Sequence, residues 1–236
     1  MHCNFIMKKV LILFFCLSSF IIAQESAKRT CRILYLGAPA DAPKELILYD
    51  GKNPQKVELP SMNLSPVYKL ASGDITIRLL TKEPPNAEEV NPAAPSVAIP
   101  ASVTDCYLLI AQNPKNTVAP ISMQLVNASP AKFGKGEMLW FNLTPHLIGG
   151  VVGERKLLLK PMSQSILKSP TTKIGDYPIK IGYQISGSER AYPITETKWI
   201  HDPKARSVVF VVSRGGNGLP AIMSFPDFRQ QEKEEE

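Results

Sequence analysis

Gly73-Asp74-Ile75-Thr76-Ile77 and Gly175-Asp176-Tyr177-Pro178-Ile179 are one short phrase written twice, 102 residues apart. In each, a glycine and an aspartate, the residues of a tight turn, lead into alternating apolar positions, the spacing of a half-buried strand. Further blocks repeat around this pair in the same order. Ile33-Leu34-Tyr35-Leu36-Gly37-Ala38-Pro39 lines up with Leu139-Trp140-Phe141-Asn142-Leu143-Thr144-Pro145. Asp50-Gly51 and Val57-Glu58-Leu59-Pro60 line up with Val152-Gly153 and Leu158-Leu159-Lys160-Pro161. The hairpin from Tyr107 to Ile110 through Ala119-Pro120-Ile121 matches Val209 to Val212 through Pro220-Ala221-Ile222. Blocks kept in order at a nearly constant offset read as an internal duplication.

Between the turns, fifteen runs rich in Val, Ile, Leu, Tyr and Thr, the first at 31–36 and the last at 220–225, predict strands; no helical period follows residue 24. About seven fall in each copy. The expected fold class is therefore all-β: two tandem immunoglobulin-like antiparallel β-sandwich domains arising from an internal duplication, after an N-terminal signal helix. A closed barrel per copy is the alternative. The duplication places domain 1 at 31–127, domain 2 at 137–226 and a charged tail at 227–236. It also overrides composition at one boundary. Residues 82–104 hold Pro84, Pro85, Pro92, Pro95 and Pro100 and resemble a linker, yet they precede the closing hairpin of the first copy. They are expected as a loop within it, with the junction near Ala128 to Gly136.

The chain opens with a targeting signal. Lys8 and Lys9 precede an apolar run from Val10 to Ile22, and the small Ala23 follows. That run is shorter than the roughly 20 residues a membrane-spanning helix needs, so a cleaved signal peptide at 1–23 and export to the periplasm, cell surface or medium are expected. A lipid anchor at Cys16 is disfavoured by the bulky Phe14 and Phe15 before it. Cleavage leaves Cys31 and Cys106 in a compartment where disulfides persist. They form either one bridge, closing a loop worth roughly 4 kcal/mol on the chain-entropy model, or two buried thiols in neighbouring strands. Two cysteines cannot build a four-ligand zinc site, and no metal or cofactor is expected.

A composition of 44% hydrophobic and 20% charged residues is globular, and the formal charge of +6 comes from scattered cations. Nucleic-acid binding would gather them on one face among aromatics. A cell-envelope polymer or a protein partner fits better.

Arg32 to Pro43, Leu46 to Gly51, Ser65 to Leu70 and Gly73-Asp74-Ile75-Thr76-Ile77 resemble a bacterial secreted domain family of unknown function, number 4397. The resemblance is best over residues 32–80, with a weaker second copy in which Thr144-Pro145 replaces the Ala-Pro turn. It implies an extracytoplasmic β-sandwich module and carries no catalytic residues. Two such units with a signal peptide are also similar to periplasmic pilus chaperones, although Phe133-Gly134-Lys135-Gly136-Glu137 stands where their charged stretch would.

Reactive constellations are sparse. His146 and His201 flank turns. Ser165 and Lys168 have the Ser-x-x-Lys spacing, but in a strand residues three apart point to opposite faces. Asp74 and Asp176 belong to separate copies, and Gly215-Gly216-Asn217-Gly218 reads as a hairpin turn. Tyr183, Tyr192 and Trp199 are the first candidates for a ligand face, with Trp140 and Trp199 read more readily as core. The sequence thus points to a non-catalytic exported binding, adhesion or envelope-scaffold protein acting through loops, chiefly 82–104. A pilus-type chaperone and, less favoured, a secreted hydrolase are the alternatives.

Overall fold

The computed structural model describes residues 29–214 and 218–229. The expected signal peptide at 1–23, with residues 24–28, and the Gly215-Gly216-Asn217 portion of the expected hairpin turn lie outside the described residues, as do positions 230–236. In the first half β1 (Arg29–Tyr35), β4 (Tyr68–Leu70), β7 (Asp105–Gln112) and β8 (Ile121–Asn127) form one sheet, in the order β4-β1-β7-β8. β2 (Glu45–Tyr49), β3 (Pro54–Glu58), β5 (Ile75–Leu80) and β6 (Ser96–Ile99) form the other, in the order β3-β2-β5-β6. The second half repeats this with β9 (Met138–Asn142), β10 (Leu147–Val152), β11 (Arg155–Leu159), β12 (Ser163–Leu167), β13 (Gly175–Gln184), β14 (Ala191–His201), β15 (Arg206–Arg214) and β16 (Leu219–Asp227). Its sheets are ordered β12-β9-β15-β16 and β11-β10-β13-β14. The two halves have one strand order.

Each half is a sandwich of two four-stranded sheets, eight strands where about seven were expected, the additional one being β6 in the first half. Nor is either half wholly antiparallel: β1 runs parallel to β7, and β9 runs parallel to β15. The first and seventh strands of a half share a sheet and a direction because the chain crosses between sheets in the intervening strands.

The pleat corrects the block alignment. Cys31, Ile33, Tyr35, Cys106, Leu108 and Ile110 face the first sandwich interior. Met138, Trp140, Val209 and Val211 face the second. Ile33 therefore corresponds to Trp140, not Leu139, and Leu108 to Val209. The Leu36 amide donating to the Ile110 carbonyl, and the Leu143 amide to the Val211 carbonyl, both at 2.9 Å, mark the same register. The Val57 block is also out of phase, because Val57 is buried while Leu158 is 69% exposed. The Gly-Asp and Asp50-Gly51 blocks stay in phase.

The two sandwiches join through their remaining faces. Leu34, Tyr107, Leu109 and Val126 from sheet β4-β1-β7-β8 pack against Leu139, Phe141, Val208, Phe210 and Phe225 from sheet β12-β9-β15-β16. Phe141 and Phe210 stack at 4.9 Å. We call these the inner sheets, the layers running outer, inner, inner, outer. The expected linker is part of this seam: Phe133 is fully buried in it. The Pro-rich stretch is likewise no free loop, since β6 lies within it and pairs with β5.

At one rim of the seam the apolar contact gives way to buried charge. Asp227 is fully buried and ends β16, so the expected tail does not begin there. Its Oδ1 accepts from Arg32 Nη1 at 2.5 Å, and its Oδ2 accepts from the Tyr107 hydroxyl at 2.5 Å and from Arg206 Nη2 at 2.7 Å. Arg206 Nη2 also reaches Asp105 Oδ2 at 2.7 Å, and Arg229 Nε reaches Asp227 at 3.0 Å. Arg229 Nη2 sits 3.1 Å from Asp105 Oδ1, attracted but too poorly aligned for a hydrogen bond. Burial by itself would raise the Asp227 carboxyl; Arg229, the Tyr107 hydroxyl and Arg206 outweigh it and hold the group at about 2.

A carboxylate depressed from 3.8 to about 2 on folding stabilises the fold above the unfolded value, by about 2 kcal/mol at neutral pH. That contribution should vanish as pH falls from about 4 towards 2, measured by urea unfolding across that range. Asp227→Ala leaves Arg32, Arg206 and Arg229 around Asp105, without the fully buried carboxylate they shared, and should cost about 3–5 kcal/mol at pH 7. Unchanged stability in the variant would show that the seam does not depend on this group.

Candidate functional site

An opening lined by two of the expected ligand residues, Tyr183 and Tyr192, lies on the outer sheet of the second half. Sheet β11-β10-β13-β14 turns Ile148, Val152, Ile179 and Ile181 inward to the core, and by alternation shows Leu147, Gly149, Val151, Leu158, Lys180 and Gly182 on its other face. Gly149 is paired with Leu158 on one side and with Gly182 on the other, and Gly182 is paired with Pro193. Two adjacent glycines thus floor a trough crossing the strands. Leu158 and Val151 rise beside it, 69% and 42% exposed. The cavity measures about 530 Å³, within the range of small-ligand sites. Lys180 and Glu196 form an exposed ion pair of 3.0 Å on its rim.

The glycines are not equivalent. A Cβ on Gly150 would lie 2.0 Å from the Lys180 carbonyl oxygen, and one on Gly182 would lie 2.7 Å from that of Tyr192. At both, close approach of neighbouring backbone demands glycine. A Cβ on Gly149 would meet nothing nearer than 3.7 Å, and its φ lies outside the left-handed region. A strand interior favours β-branched or aromatic residues there, so packing does not account for Gly149. What it does is leave the trough open.

Of the expected ligand face, Tyr183 and Tyr192 come together and Trp199 does not. Tyr183 and Tyr192 are register partners, stacked at 5.3 Å at the end of the trough. The other face of Tyr183 meets His146 at 5.2 Å, and Arg190 covers Tyr192 at 4.9 Å. Tyr183 is paired with the inward-facing Ile148 and packs against the second core, so this ladder closes one end of the sandwich interior behind the trough and offers no free stacking platform. Trp199 stacks parallel on Trp140 at 6.1 Å and packs against the second core.

Cys31 and Cys106 stand directly opposite one another across β1 and β7, fully buried free thiols. Their mutual hydrogen bond, then burial, pushes the Cys31 thiol up. His201 is not a turn residue but the buried end of β14, its imidazole pushed down by burial against a smaller opposing effect of Asp202. Ser165 lies in strand β12, and Lys168 pairs with Glu137. Asp74 accepts the Ala101 amide at 2.8 Å. Among the described residues no cluster of three or more His, Cys, Asp or Glu could hold a metal ion, and no helix is long and apolar enough to cross a membrane.

The loop expected to recognise a partner is itself docked. Val90 and Ala94 pack against Ile47, Tyr49 and Leu80 on the outer face of β2 and β5. The trough was not foreseen. Its signal was Gly149, Gly150 and Gly182 inside two runs that otherwise read as strands. Compared with models of known protein families and with curated proteins, the chain matches none.

Adjacent glycines should answer oppositely to substitution. Gly149→Leu should keep the fold within about 1 kcal/mol of the parent, because the side chain enters open space. Gly150→Ala should cost about 3 kcal/mol or more, because β10 and β13 must separate. Thermal and urea unfolding of the two variants checks this, and equal losses would remove the distinction.

Proposed function

We propose that the chain is a non-catalytic exported binding or envelope-scaffold protein, of two immunoglobulin-like modules arising by duplication, that holds its partner on the outer sheet of the second module. The open trough over Gly149 and Gly182 is the observation that carries this reading. A sheet face with exposed Leu158 and Val151 and a strand glycine kept free of any backbone need is costly unless something occupies it. The seam supports the same reading: its buried arginines and aspartates are matched to each other, which suits a rigid support. The likeness of residues 32–80 to secreted domain family 4397 and the Lys8-to-Ala23 signal pattern support export. The chaperone alternative draws less support, since the centre of the long edge strand β14 is Thr195-Glu196-Thr197-Lys198, without alternating apolar residues.

Export also bears on Cys31 and Cys106. Register partners on neighbouring strands are within disulfide reach, and in an oxidising compartment the two thiols pass two electrons and two protons to a dithiol-disulfide oxidant and join. Protein recovered from the exported fraction should have a mass lower by two hydrogens than reduced protein. Recovery as free thiols would overturn the bridge.

The binding role is tested by sedimenting purified protein without residues 1–23 with isolated cell envelopes. The parent should pellet, and Gly149→Leu should bind at least tenfold more weakly. A parent that stays in the supernatant, or a variant that pellets equally, would sink the proposal.

A further inference from the structure

The first half shows what the corresponding place on its own outer sheet holds. With the Gly-Asp turns aligned, Ile47 and Leu80, paired across β2 and β5, occupy the position of Gly149 and Gly182, paired across β10 and β13. Tyr49 and Arg78 likewise take the position of Val151 and Lys180. In the first half this face is covered by the chain itself. The long β5–β6 connection crosses it, setting Ala94, 3% exposed, and Val90 against Tyr49, Leu80 and Ile47. The Leu79 amide donates to the Pro95 carbonyl at 3.0 Å, and Asn116 Nδ2 to the Ala93 carbonyl at 3.0 Å, so the segment is held by backbone as well as by side chains.

In the second half the equivalent connection is short. β13 ends at Gln184 and β14 begins at Ala191, so nothing within the described residues passes over the face. The two large residues beneath the covering segment have become glycines, which deepens the site by about two side chains. The charged residues lining the trough, Lys180 and Glu196, are matched, and Lys156, paired with the outward-facing Val151, adds a cation on the same face. The covering segment of the first half, residues 82–95, carries Glu83, Glu88 and Glu89 against Lys82.

We propose that the trough receives an acidic, proline-containing, looped segment of a partner protein, laid across β10 and β13 as the bends and short 3-10 turn of residues 82–95 lie across β2 and β5, with a bulky apolar side chain over Gly149 and Gly182 where the first half places Ala94. This names a partner class for the binding role above and rests on that role. Proline suits the covering strap because its fixed φ leaves less chain entropy to lose on docking. The deeper floor calls for a side chain larger than alanine, and Lys156 favours carboxylates beside it.

The test uses the protein without residues 1–23 and two synthetic peptides. One copies residues 83–97 of this chain; the other is the same peptide carrying Ala94→Leu. Calorimetric titration should show saturable binding of the leucine peptide, at least tenfold weaker binding of the parent peptide, and weakening of both with added salt. Gly149→Leu, which fills the trough without backbone conflict, should reduce leucine-peptide binding at least tenfold. Absence of saturable binding at millimolar peptide, or an equal affinity in Gly149→Leu, overturns the proposal. Dimerisation that depends on concentration and is abolished by Gly149→Leu, with no peptide binding, also overturns it, by assigning the face to a second copy. If envelopes retain the protein in a Gly149-dependent way but the peptides do not bind, this partner class fails and the binding role stands.

Discussion

Asp227 is where the two halves are tied. Greasy faces alone would hold the inner sheets together at many offsets, since Phe, Val and Leu contacts carry little direction. A buried carboxylate that must satisfy Arg32, Tyr107, Arg206 and Arg229 at once admits one offset. Buried ion pairs contribute little net stability over a well-packed apolar seam, but breaking one is expensive. The arrangement is thus better understood as fixing geometry than as adding strength. The outer sheets, and with them the trough, inherit their placement from this rim.

Much of the architecture was written in the spacing of turns and apolar runs. All strands but β6 coincide with runs visible in the sequence. β6 was hidden because Ser96-Val97-Ala98-Ile99 is only four residues long and is bracketed by Pro95 and Pro100. Those prolines made the whole stretch look like loop. Alignment by blocks slipped by one residue in β1 and β3 because it matched prolines across connections of unequal length, such as 36–44 against 143–146, and it slipped likewise in β7. A one-residue slip reverses every side chain in a strand. Burial, which only the fold reveals, restored the phase.

The seam was legible in principle. Asp105 to Ile110 is buried on both faces, and so is the whole of Met138-Leu139-Trp140-Phe141-Asn142. Runs without alternation belong to strands covered on both sides, and these mark the inner sheets. The site was only half legible. Tyr183 and Tyr192 advertised themselves as aromatics, but whether a ring offers a free face depends on its neighbours in space, here His146, distant in sequence, against Tyr183 and the nearby Arg190 over Tyr192. Trp199 was harder still, because its facing follows from the cross-strand partner Tyr177. Glycine, having no side chain, signals a cavity only through the oddity of its presence in a strand.

The pleat that pairs Leu108 with Val209 also places Asp105 and Arg206 at matching positions in the two halves, and these two side chains meet at 2.7 Å. In an assembly of two identical chains related by a twofold axis, one position carries one charge on both sides, so aspartate would oppose aspartate and arginine would oppose arginine. Opposite charges at one position require the halves to differ, and a covalent tether is the simplest way to guarantee that each meets its complement. Severed into separate polypeptides, the halves could not reproduce this seam by self-pairing; only a mixture of the two would rebuild it.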